Sequence, residues 1–162
     1  MGTRYDFEMV ANLREHVPEN VVQMLSFLLL PGELAPTEEP DHPFFGYDWR
    51  PHPFANWATS DDPHAGDTAC SFRRVYRYSQ NGVDHHQFTI HLRFVAKAED
   101  VFEMGLPFAM WLALWSDQDK FVGYFKAEDQ RHPTLMYFHA QELYLREVTE
   151  PPQRATDGAL LQ

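Results

Sequence analysis

The chain has 162 residues, 44% hydrophobic and 15% aromatic, with 24 acidic side chains against 13 basic ones and a formal charge of −11. That hydrophobic content excludes a disordered polymer, and no apolar run approaches the length of a membrane span. The negative charge argues against a general nucleic-acid binder, since phosphate is held by cations, and Cys70, the one cysteine, allows no intrachain disulfide.

Length predicts a single domain over residues 1–148, followed by a flexible tail over 149–162 that contains Pro151-Pro152. The first residues lack the basic-then-apolar layout of a signal peptide, so a cytoplasmic location is expected. Tyr5, Phe7, Met9, Ala11 and Leu13 alternate with Asp6, Glu8, Asn12 and Arg14, and Val10 is the exception. Period two predicts a half-buried strand. Pro18 suits the start of a helix. That helix is expected over Glu19–Leu30, with Val21, Val22, Leu25, Leu28 and Leu29 buried, and Pro31-Gly32 ends it.

Residues 31–66 hold seven of the twelve prolines, together with Phe44, Phe45, Tyr47, Trp49, Phe54 and Trp57. A flexible linker is polar and poor in aromatics. The stretch therefore reads as an irregular but ordered insertion that wraps the core, with turns at Asp61-Asp62-Pro63 and Ala65-Gly66. Two strands, Ala69–Tyr78 and Val83–Lys97, flank Gln80-Asn81-Gly82 and predict a hairpin. A two-residue turn would split the apolar residues between faces. A three-residue loop pairing Ser79 with Val83 puts Phe72, Tyr76 and Tyr78 beside Phe88, Ile90, Leu92 and Phe94, and is the register expected.

Ala98–Ser116 reads as helical, broken or kinked after Leu106 by Pro107. From Phe108 to Trp115 it is apolar all round and needs cover on both sides. If the insertion does not provide that cover, the helix is a self-association face. Strands at Lys120–Ala127 and Thr134–His139 follow, the second extending toward Arg146. The order predicts an α+β fold: a ferredoxin-like βαββαβ antiparallel sheet with an extra C-terminal strand and a long Pro/aromatic-rich insertion after the first helix.

In that topology one sheet face is open. It carries Arg73, Val75 and Arg77 from one strand, His85, Gln87, Thr89, His91 and Arg93 from the next, and Asp6, Glu8, Asn12 and Arg14 from the first. Imidazole beside carboxylate is the minimum equipment for acid–base chemistry. His85 and His91 lie too far apart along a strand to share a metal, and no His-Glu-x-x-His or paired-Cys spacing occurs. No Gly-rich phosphate loop or Gly-x-Ser-x-Gly elbow is present. No metal or other cofactor and no catalytic residue is therefore expected. Cys70 reads as a buried, inert thiol, and His139 as a packed histidine.

The leading expectation is a small, acidic, non-catalytic protein-binding or regulatory domain, homodimeric, with a protein or a second copy as partner and no role for nucleic acid or membrane. An acidic surface suits a basic partner. The binding candidates are Glu8, Arg73, Arg77, His85, His91 and Arg93 on the sheet, and Trp49 and Trp57 in the insertion. The alternative is a small-molecule-binding domain or enzyme, using the His/Arg/carboxylate face roofed by the aromatic insertion.

Overall fold

A computed structural model describes residues 3–46, 53–57, 67–117 and 119–150. In chain order these form β1 (Arg4–Asn12), α1 (Glu19–Leu29), a 3-10 turn (Pro43–Gly46), α2 (Phe54–Trp57), β2 (Ala69–Gln80) and β3 (Val83–Lys97). There follow α3 (Ala98–Asp100), a π turn (Val101–Gly105), α4 (Leu106–Ala113), β4 (Lys120–Ala127), β5 (Thr134–His139) and β6 (Glu142–Glu147). The six strands make one sheet in the order β2-β3-β1-β4-β5-β6, and every neighbouring pair is antiparallel. The fold is mixed α+β. Among the described residues no helix is long and apolar enough to cross a membrane.

The alternation in β1 sets the layers. Phe7, Met9 and Ala11 are fully buried, whereas Val10 is 45% exposed on the other face. Phe94 of β3 stacks on Phe7 at 4.7 Å, and the π turn lies over both rings, where a Cβ on Gly105 would come within 3.0 Å of Phe94. α1 begins directly after Pro18, whose carbonyl accepts the Val21 and Val22 amides. Its buried face is Val21, Met24, Leu25, Phe27, Leu28 and Leu29, so Met24 and Phe27 replace the expected Val22.

The described residues of the Pro-rich segment between α1 and β2 complete the helical layer. Phe44 and Phe45 pack on Trp111 of α4, and Phe44 also meets Phe108. Phe54 and Trp57 pack on Phe94. The apolar helix thus has its second cover within the chain. It also keeps a wet side, with Met110 and Leu114 exposed, so it is not enclosed all round. Pro107 does not break the helix. The wider π turn before it, where Leu106 N–H reaches back to Val101 O, makes room for a ring that an α-turn would press against the carbonyl four residues earlier.

Two register expectations are corrected. The β2–β3 turn is a two-residue one at Asn81-Gly82, both with positive φ, and it pairs Gln80 with Val83. The one-residue offset demanded by the apolar pattern arises at a bulge, where Arg77 is the extra residue between the pairs Tyr76/His86 and Tyr78/His85. Phe72 therefore still shares a face with Ile90, but Tyr78 lies on the opposite one, against His85. The second correction is a sixth strand. Ala140 and Gln141, at φ 50° and 62°, turn the chain so that β6 pairs with β5 instead of prolonging it.

Candidate functional site

Among the described residues the helical segments pack on one face of the sheet, and the opposite face is contacted at one end by Glu15 and Asp117. At its centre Glu8 of β1 faces Arg93 of β3 and Tyr124 of β4. Its carboxylate lies 3.4 Å from His91 Nε2 and accepts the Tyr124 hydroxyl at 3.5 Å. Partial burial, aided by the Glu8 and Asp6 carboxylates, raises the Tyr124 hydroxyl above its ordinary pKa, which keeps it a donor. Toward the β2 edge, Arg73 lies opposite Thr89 on the same face. The bulged Arg77 donates to Gln87 Oε1 at 2.8 Å and Thr89 Oγ1 at 3.4 Å.

The face changes character toward β6. Phe121 is 51% exposed and packs on Tyr137, which pairs with Tyr144. With Val10 and Tyr124 these rings form an aromatic half beside the Arg/His half. Alternation alone does not reveal Phe121, because a second bulge between Phe121 and Gly123 changes the parity of β4. His139 belongs to this half. It is exposed, 2.9 Å from Asp119, and is not the packed histidine expected.

At the other end of the sheet the chain after β1 pairs with the segment after α4. Leu13 bridges Ser116, and Arg14 N–H donates to Trp115 O at 2.8 Å. This brings Arg14, Glu15, Arg77, Tyr78, Gln87 and Asp117 around a cleft of about 610 Å³. Gln87 donates to Asp117, and the Arg14 guanidinium lies over the Trp115 ring. His85 Nδ1 sits 2.8 Å from Glu15, and its ring stacks on Tyr78. Sequence reasoning missed Glu15 and Asp117 because each follows an element instead of lying on one.

Of the expected site residues, Glu8, His91 and Arg93 come together, with Arg73 nearby. Arg77 lines the end cleft, His85 lies beside it on Glu15, and His85 and His91 keep separate carboxylates. Trp57 lies on Phe94, beneath the sheet, so it does not roof the face. Trp49 and the turns at 61–66 lie outside the described residues, as does 151–162 of the expected tail. Cys70, opposite Leu92, is half-buried, and its surroundings push the thiol up to about 11. Among the described residues no three His, Cys, Asp or Glu side chains cluster closely enough to hold a metal ion. Comparison with protein-family models, characterised proteins and solved structures found no match.

Proposed function

We propose that the protein is a non-catalytic binding domain that docks a protein partner on the open sheet face. The observation that carries this reading is the placement of Phe44, Phe45, Phe54 and Trp57 on the helical side. They leave the opposite face, away from its Glu15 and Asp117 end, without a described roof, and with exposed aromatics beside charged groups. Buried aromatic and Arg side chains dominate binding energy at interfaces, and an open face suits a protein better than a small ligand, which needs enclosure. The strand order β2-β3-β1-β4 supports a ferredoxin-like βαββαβ core, with β5 and β6 as an added hairpin. The single cysteine is in keeping with a reducing, cytoplasmic setting.

The test is affinity capture from the native cell followed by titration of the captured partner. Tyr137→Ala and Arg93→Ala should each weaken binding by about tenfold or more, while Met110→Ser on the helical side leaves it unchanged. Equal binding by all three variants would refute the docking face.

A second reading rests on the end cleft. Arg14 Nε and Asp117 Oδ1, from two residues lining it, are buried without a hydrogen-bond partner among the described residues. One is a donor and the other an acceptor, as a small polar ligand would require. The adjacent His85–Glu15 pair could supply acid–base chemistry. A thermal-shift screen of small primary amides, which accept through the carbonyl and donate through the N–H, repeated on Asp117→Asn, separates the two readings. A stabilising ligand lost in that variant favours the cleft.

A further inference from the structure

We propose that β6 pairs edge to edge with β6 of a second copy of this chain, in one register, joining the two sheets into one. β6 is the terminal strand of the sheet. Edge strands are normally blunted by bulges, prolines or lysines. β2, at the other edge, is interrupted by the bulge at Arg77. β6 has neither bulge nor proline nor lysine, pairs with β5 without interruption, and leaves Tyr144 and Leu145 about half exposed.

Backbone parity limits the registers. The two-residue turn at Ala140-Gln141 makes His139/Glu142 the closing hydrogen-bonded pair. Consistent with this, Val148 N–H donates to Pro133 O further along. Glu142, Tyr144 and Arg146 thus direct their backbone groups to β5, and Leu143, Leu145 and Glu147 direct theirs outward. A new antiparallel ladder must pair outward residues with outward residues.

An axis through Tyr144 pairs Leu143 with Leu145 of the second copy, twice, and sets Tyr144 against its own counterpart. It also places Glu142 opposite Arg146 in both directions, in the close pairs where side chains approach most nearly. Moving the axis to Leu143 sets Glu142 opposite Tyr144, and moving it to Leu145 sets Arg146 opposite Tyr144. Either change loses both ion pairs. The strand is thus complementary to itself in charge about one axis. Residues paired across such an axis share a face, so the two open faces lie on the same side of the joined sheet.

Light scattering over a wide concentration range tests this with the full chain. The wild type should show twice the mass of one chain. Glu142→Arg and Arg146→Glu each place like charges opposite one another at both positions, and should each raise the dimer Kd by about tenfold or more. Mixing the two variants restores opposite charges at both positions and should restore association, which also shows that both are folded. A wild type of single-chain mass throughout overturns the proposal. So does a dimer indifferent to both variants, or a mixture that fails to associate while each variant keeps the wild-type circular dichroism.

Discussion

Gly123 of β4 lies so close to Glu8 of β1 that a Cβ at position 123 would strike the Glu8 carbonyl oxygen. The obstacle is backbone in the central ladder, which cannot swing aside as a side chain can. Gly123→Ala is therefore expected to cost at least about 2 kcal/mol. In a domain of this size that lowers the melting temperature by roughly 5 °C or more. Thermal unfolding followed by circular dichroism checks it, and an unchanged midpoint would contradict this packing of β4 on β1.

The bulge at Arg77 leads to a less intuitive expectation. Deleting Arg77 leaves Tyr76 opposite His86 and Tyr78 opposite His85, each on its present face, in a continuous ladder. The loss is confined to the two hydrogen bonds to Gln87 and Thr89, which are exposed and together worth about 1–2 kcal/mol. The deletion variant should fold with a urea midpoint only modestly reduced. Failure to fold would mean that the extra residue is required for the hairpin.

These two strands show what was legible in the chain. The central alternation of Phe7, Met9 and Ala11 and the run of Ile90, Leu92 and Phe94 declare their faces, whereas the neighbourhood of β1 and β3 comes from the expected strand order and not from these residues. The Arg/His half of the open face is readable for the same reason. The bulges at Arg77 and Val122 carry no residue signal, since neither is glycine, and they decide where Tyr78 and Phe121 point. The β5–β6 turn is silent too, because Ala140 and Gln141 hold a positive φ usually given to Asn or Gly. The end cleft depends on Leu13 meeting Ser116, a contact between distant segments that no local pattern encodes.

The Pro-rich segment between α1 and β2 is part of the core where it is described, and this is measurable. Phe44 is fully buried against Phe45, Phe108 and Trp111. Phe44→Ala should cost about 3–5 kcal/mol, the usual range for removing a buried ring. A surface loop would tolerate the change with almost none. Denaturant titration distinguishes the two.

Asp100 yields a pH dependence of defined sign. Burial, with Glu99 adding to it, raises its carboxyl above the ordinary 3.8. The folded protein then holds this proton more tightly than the unfolded chain does. The stability the group contributes is present below about pH 4 and lost as pH rises through the folded value. Asp100→Asn, which removes the charge and keeps an acceptor for the Lys97 amide, should therefore stabilise the protein at neutral pH and change little near pH 3. Denaturant midpoints at the two pH values check this, and a variant less stable at neutral pH would contradict it.

The central position of β1 also governs the order in which the molecule can assemble. Phe7 pairs with Phe94 on one side and Phe125 on the other, whereas the β2–β3 and β5–β6 hairpins close over short turns. Local hairpins form early, and distant pairings wait on the entropy of large loops. The strand that divides the finished sheet into halves is thus the last to gain both neighbours. Until β4 arrives its apolar side has only partial shelter, which makes the half-built sheet the stage at which this chain is most prone to aggregate.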